Sequence, residues 1–410
     1  MNNTQKTKII LAIVAISFIQ GLQYCVSPVL GQIQEHYPDI NVSLVQMLIT
    51  APALLSMIVA LISGGLVVKI SKKKLLLFAA LVAGVTGFLP YLADSFWLLF
   101  ISRTLYGIAL GLACTLNTAV VAEFFEGDER VSVMGIQAAS IGVGMVIITT
   151  LGGRLGSLGF TYSYLTNIIG FLSFLVLAAM LPDTGASKVT QTEKIRLNKR
   201  VFQVAFLGFL EFLFLITFTT NIAMHISGAL AGDSSVSGIL TGVFSGAQIV
   251  MGLVLGYVTK VTGNATLPVA MLSFVAGAAL LILFPSNLPI LLAAAVLCGF
   301  SQGMFIPQAM VDVANAVRPV ATAMASACFT CAMCFGQLVS PSVLNAISRF
   351  IYGKVSTSNV YTIAGIGMAA SAAAGFLIMK TPGSKSPAFH DTMEKQSLGP
   401  AKHKKVEEIQ

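Results

Sequence analysis

The sequence predicts an all-α membrane protein of twelve transmembrane helices, arranged as two pseudo-symmetric six-helix bundles. Three observations predict it. Apolar stretches of about twenty residues recur along the chain, and a bilayer core ~30 Å thick needs ~20 residues of helix at ~1.5 Å each. Charge lies almost wholly between those stretches: of 410 residues, 56% are hydrophobic and 10% charged, where a soluble domain carries roughly 25%. The stretches also divide six and six around one long polar interruption.

In order, the spans are expected near 9–31, 44–68, 75–93, 96–122, 131–153, 160–181, 201–226, 236–258, 265–284, 288–313, 320–346 and 360–379. The first follows Lys6 and Lys8 and runs through Gln20–Tyr24 to Pro28 without a small-residue cleavage site, so it reads as a span rather than a signal peptide. Lys69 and Lys72–Lys74 separate the second and third, and Trp97 opens the fourth. Glu123–Arg130 and Arg154 bound the fifth. Residues 1–181 are the expected N-terminal bundle and 201–380 the C-terminal one. The stretch 182–200 between them is a cytoplasmic linker, and 381–410, rich in Lys, Pro and Ser, a disordered cytoplasmic tail.

The net charge of +8 would suit a nucleic-acid partner, but its placement argues against one. All Lys and Arg except Arg103, Arg154, Arg349 and Lys354 fall on one side if the spans alternate. The positive-inside rule makes that side cytoplasmic and puts both termini there. A multi-pass protein of the cytoplasmic membrane is expected, its partners a small-molecule substrate, protons and the lipid bilayer, and its state monomeric. No cofactor or metal is expected. The phosphate-binding Gly-x-x-x-x-Gly-Lys-Ser/Thr loop and the His-Glu-x-x-His pair are both missing from the sequence. Cys25, Cys114, Cys298, Cys328, Cys331 and Cys334 all lie in apolar segments and read as packing side chains rather than a disulfide framework.

An offset of 192 residues relates Gly64 to Gly256, Gly107 to Gly299, Gly111 to Gly303 and Gly144 to Gly336. Four such coincidences in matching spans predict an internal repeat, the architecture in which substrate is held between two bundles.

The stretch 64–74, GGLVVKISKKK, resembles the glycine–basic loop of the major facilitator superfamily. Arg103 to Gly111, RTLYGIALG, is similar to that family's Arg-x-x-x-Gly motif in the fourth helix, and GFTYSYLTN at 159–167 to its entry to the sixth. The resemblance covers about residues 9–379 and is nearest to the twelve-span drug:proton antiporter branch. It implies the major facilitator fold, a gating role for Gly64, Lys69 and Lys73, and a proton-relay or substrate role for Arg103. Two departures stand out. The loop motif's acid falls on Val68 and its second glycine on Ser71, while the antiporter Gly-Pro falls on Ile148-Thr149.

Ionisable side chains are costly in lipid and mark functional paths. Glu211 is the one acid near mid-depth, about ten residues or ~15 Å into its span. A desolvated carboxyl favours its neutral form, which suits a group that takes and releases a proton. Phe214, Phe218 and Asn221 follow it at helical spacing. Arg103 is permanently charged, so it holds an anion, biases an acid, or caps carbonyls of the first span. Gln20, Gln23 and Tyr24 in the first span, Asn117 in the fourth, and Gln302, Phe305 and Gln308 in the tenth supply neutral donors beside aromatic rings. Such a lining suits an amphipathic organic molecule, although glutamines also tie helices together. Glu123 and Arg130, with Asp312 and Arg318 at the matching position, are expected as gate-closing pairs. The leading expectation is proton-coupled export of a small organic molecule. The alternative is an uptake symporter or facilitator for an organic anion or nutrient, with Arg103 as its anion contact.

Overall fold

The computed structural model describes residues 2–186, 197–317 and 322–380, and among them all regular structure is helical. In the first half these are α1 (Asn3–Gly21), α2 (Leu30–His36), α3 (Val42–Thr50), α4 (Pro52–Lys69), α5 (Lys72–Thr86), α6 (Phe96–Phe124), α7 (Gly127–Gly156) and α8 (Ile168–Met180). In the second they are α9 (Lys199–Leu215), α10 (Thr217–His225), α11 (Ser234–Thr262), α12 (Thr266–Leu283), α13 (Leu288–Asn315), α14 (Thr322–Tyr352) and α15 (Thr357–Lys380).

Eleven segments are long and apolar enough to cross a membrane. One of them, Ser234–Leu283, is 50 residues long and would rise ~75 Å as one helix, more than twice a bilayer core. It consists of α11 and α12, joined where Gly263 turns the chain at φ 51°, a conformation that favours glycine. Helix starts carry their own chemistry. Asn41, Ser71, Asp233 and Asn287 accept backbone N–H bonds at the heads of α3, α5, α11 and α13. Ser71, where the family loop has glycine, is thus a helix cap.

The first apolar segment is broken. After α1 the backbone tightens into 3₁₀ turns at Leu22–Tyr24 and Ser27–Val29 before α2. A similar interruption at Ile216 separates α9 from α10. Each break frees carbonyls from the helical ladder, and those carbonyls need donors from elsewhere.

Buried apolar side chains form two clusters. One is built almost wholly from Ile9 through Leu181, with Ile216 and Ala223 joining it. The other is drawn entirely from Val201 through Met379. The 192-residue offset reappears in how these cores pack. A Cβ at Gly107 would collide with the Pro52 carbonyl, and one at Gly299 with the Phe244 carbonyl, and Pro52 and Phe244 are themselves 192 apart. Gly111 would approach the Ser56 oxygen at 2.7 Å and Gly303 the Gln248 oxygen at 2.6 Å, again one repeat apart. Glycine is required at these crossings because helix backbones touch. Gly144 lies against Phe18 and Gly336 against Phe209, so that pair agrees within a residue. Gly256 has open space around it, and the surroundings of Gly64 lie outside the described residues.

Candidate transport pathway

The seam between the halves is closed at one end. There the Ser27 hydroxyl donates to the Thr219 carbonyl at 2.6 Å. Gln46 of α3 donates to Asn221 of α10 at 2.7 Å, and Asn345 of α14 donates to Gln46 at 2.7 Å and to Ser43 at 2.9 Å. Across the molecule α7 meets α11 with Gly153 against Gly238 and the Ser234 hydroxyl on the Gly153 carbonyl at 3.0 Å. That line continues through Gly242 beside Thr150 and Ile249 beside Gly142. Beyond it the helices diverge: no atom comes within 4 Å of where a Cβ would stand on Gly135 of α7 or on Gly252 and Gly256 of α11. Gly65 of α4 is equally open. The halves therefore part toward the end that carries Lys72–Lys74 and the start of α7.

At mid-depth the halves meet through neutral groups. The buried Tyr24 lies close to the Gln302 side chain, with the Cys114 and Cys334 thiols near enough to act on it electrostatically. Gln20 is half-buried and ties to α6, donating to the Ala113 carbonyl at 3.4 Å and accepting from Cys114 at 3.7 Å. Tyr24 and Gln302 thus lie near each other across the halves, and Gln20 is linked to them only through Cys114. The two thiols and the Gln46–Asn345 pair are additions that sequence reasoning missed. Spacing alone does not tell a seam-facing Cys from a packed one.

The other expected residues sort differently. Gln23 turns to the Ile49 carbonyl at 3.5 Å and Asn117 to the Ser17 hydroxyl at 3.0 Å, both inside the first half. The aromatic residues expected along the substrate path fill the second core instead. Phe214 packs on Gly367, Phe218 stacks on Phe244 with centroids 4.9 Å apart, and Phe305 is fully buried. The break at Ile216 interrupts the helical register on which Phe218 was read with Glu211, whereas Phe214 precedes the break and shares α9 with Glu211. Asn221, beyond the break, does reach the seam.

Arg103 is buried, and each of its three nitrogens has a partner. Its Nε donates to the Leu48 carbonyl at 3.0 Å, and Nη2 to the carbonyls of Leu22 at 3.3 Å and of Gln23. Nη1 reaches Cys25 Sγ at 3.4 Å, and the guanidinium lies 4.9 Å from the Tyr106 ring centroid. It caps the carbonyls that the break after α1 sets free. Glu211 is equally buried, but poorly satisfied. Ser301 of α13 donates to Oε1 at 2.8 Å, and Oε2 has no partner among the described residues. No contact joins it to Arg103, which belongs to the other half.

The expected gating residues make contacts within a half. Lys72 pairs with Glu123 at 3.0 Å, and Lys6 with Glu129 at 2.6 Å. Lys73 donates to the Ala178 carbonyl at 2.8 Å. Lys69 and Arg130 are exposed and form no ion pair among the described residues. Asp312 accepts from Gln308 at 2.8 Å beside Arg200 in a small polar cavity, so Gln308 serves the end of α13 rather than the mid-depth seam. Arg318 lies outside the described residues. At the closed end His36 approaches both Asp94 oxygens at 3.0 Å while Tyr37 donates its hydroxyl to the same carboxylate. The Tyr37 hydroxyl, and then His36, hold the Asp94 carboxyl below the usual range.

The family model of the Major Facilitator Superfamily matches residues 11–206 and, again, 204–407. The chain belongs to that superfamily. It is accordingly a transporter and not an enzyme. Among curated relatives it is similar to the quinolone resistance protein NorA of Staphylococcus aureus (strain N315), 23% identical over 163 residues. That match spans 38% of this chain and 42% of NorA, less than half of either. Among solved structures, the nucleoside transporter NupG superposes with a TM-score of 0.74 at 14% identity, covering 91% of this chain and 100% of NupG. A bacterial homolog of the human lysosomal transporter Spinster, inward-facing and unoccupied, gives 0.66 at 14% identity, covering 92% and 95%. Both likenesses speak to fold alone.

Proposed function

We propose that this chain is a twelve-span carrier of two six-helix bundles, residues 1–181 and 201–380, joined by a linker at 182–200 and followed by a tail at 381–410. It moves a small amphipathic organic molecule across the cytoplasmic membrane by alternating access. Export is driven by protons, and both termini are cytoplasmic. The topology is supported by the placement of Lys and Arg, by the turn at Gly263 that splits the longest apolar segment in two, and by the double match to the family. With that orientation the open end of the seam faces the cytoplasm. The drug-efflux reading is supported by the partial likeness to NorA. The neutral set at mid-depth (Tyr24, Gln302, Gln20 and the thiols of Cys114 and Cys334) suits an amphipathic cargo better than a strongly charged one.

Proton coupling rests on one observation: a buried Glu211 with a single hydrogen bond, an orphaned oxygen and, among the described residues, no cation paired with it. A buried carboxyl with a bare oxygen and no counter-charge is placed to take up a proton and to give it back when water reaches the site. Uptake of an anion through Arg103 has less support, because its donors are already taken by carbonyls and the Cys25 sulfur. The test is flux of a quinolone probe in proteoliposomes under an imposed pH gradient. Wild type is expected to concentrate the probe against its gradient, and Glu211→Gln to equilibrate it at best. Gradient-driven accumulation by the glutamine variant would remove the coupling role from Glu211.

A further inference from the structure

The two contacts that close the seam are counterparts under the internal repeat. Adding 192 to Gly153 gives Asn345, and adding 192 to Gln46 gives Gly238. The α7–α11 contact between Gly153 and Gly238 therefore maps onto the α14–α3 contact between Asn345 and Gln46. The chemistry of the two is unlike. One is backbone on backbone: a Cβ at Gly153 would stand 2.8 Å from the Gly238 Cα, and one at Gly238 2.9 Å from the Gly153 Cα. The other is a chain of amides, Asn221–Gln46–Asn345, ending on Ser43. Ser27 and Thr219 are themselves 192 apart and bonded to each other, which puts that contact on the pseudo-twofold axis between the two seams.

We propose that the closed end opens asymmetrically: the α3–α14 amide seam parts, while the α7–α11 glycine seam stays in contact as the pivot. Water replaces an amide partner with little loss, so the Gln46, Asn221 and Asn345 side chains keep their hydrogen bonds as the seam wets. Asn345 Oδ1, buried and unpartnered among the described residues while the seam is shut, gains a partner on opening. The glycine seam holds one cross-seam hydrogen bond that water could replace, from the Ser234 hydroxyl to the Gly153 carbonyl, and otherwise presents helix surface already bonded within itself. It also runs on past Gly242 to Ile249 and Gly142, so parting it would forfeit close packing along several turns. Gln46, Asn221, Asn345 and Ser43 carry no charge, so the latch itself does not titrate. This rests on the carrier reading, but its test reads motion rather than transport. Loss of proton coupling in Glu211→Gln and failure of this asymmetry would be separate results.

Hydrogen–deuterium exchange on the full chain in lipid nanodiscs tests it. In Asn345→Ala, exchange over residues 42–50 and 340–352 should rise about tenfold, the effect of one or two lost hydrogen bonds on an opening equilibrium. Exchange over 148–156 and 234–242 should stay within about twofold of wild type. Ser43→Ala removes a single bond at the half-exposed rim and should repeat the pattern at smaller amplitude, which guards against a fold that Asn345→Ala simply loosens. Equal acceleration at both seams, acceleration at the glycine seam alone, or no change at either would overturn the proposal.

Discussion

Among the described residues, each half of the molecule buries one Lys, Arg, Asp or Glu side chain, at a place where its repeat partner is apolar. Arg103 corresponds to Ala295 and Glu211 to Ile19 under the 192-residue offset. The two are treated in opposite ways. Arg103 is surrounded by acceptors, two carbonyls from the break after α1 and that of Leu48 in α3. Glu211 has one hydroxyl and an oxygen left bare. A buried ion with a partner on every nitrogen is a structural device, because a change to it leaves orphans behind. A half-satisfied one has a second protonation state within reach. Depth in the membrane is the same signal for both, and only the count of partners tells them apart.

The comparison breaks most visibly at Glu211. Glu211→Gln keeps the shape and the bond from Ser301, so the variant should fold with a melting temperature near wild type. Its proton-driven accumulation should fall at least about tenfold, the effect of removing the group proposed to carry the proton; flux in proteoliposomes measures it. The opposite profile is expected at Arg103. Arg103→Ala leaves several carbonyls without donors and should lower stability by roughly 2–4 kcal/mol, read as a clear drop in melting temperature. Arg103→Lys should recover only part of it, since an ammonium cannot fork across three carbonyls. A stable alanine variant that fails only in transport would reverse the roles assigned to the two groups.

Ser301→Ala sharpens the contrast at smaller amplitude. It should leave the protein folded while moving the pH profile of transport, because the hydroxyl contacts the titrating group itself. An unchanged profile would place the proton elsewhere. The smallest effect belongs to the exposed Asp94. Its lowered value means its stabilisation is complete above the ordinary carboxylate range near pH ~3.9 and is lost as pH falls through that lowered value. Asp94→Asn should therefore shift melting at neutral pH only slightly, in keeping with exposed charge pairs, and not at all in strong acid.

Much of the fold was legible because lipid imposes length, and length is written plainly in the sequence. The repeat was legible for a physical reason too. Gly107 and Gly299 meet the carbonyls of Pro52 and Phe244, and no side chain fits such crossings. The site was less so. Helical spacing put Phe214 and Phe218 with Glu211, but the interruption at Ile216 resets the register before Phe218, and Phe214 packs on Gly367 inside the second half. Gln46 and Asn345 carry no motif, and Cys114 and Cys334 look like their neighbours. Membership of the seam depends on which turn of each helix faces the other half, and that follows from packing rather than spacing.

Infrared difference spectroscopy, with the carbonyl stretch of a protonated carboxyl as the readout, tests the central claim most directly. Wild-type protein at neutral pH should show that band from Glu211, and the Glu211→Gln variant should lack it. A spectrum in which the two proteins are identical would mean the buried acid is ionised at rest, and the carrier would have to bind its proton somewhere else.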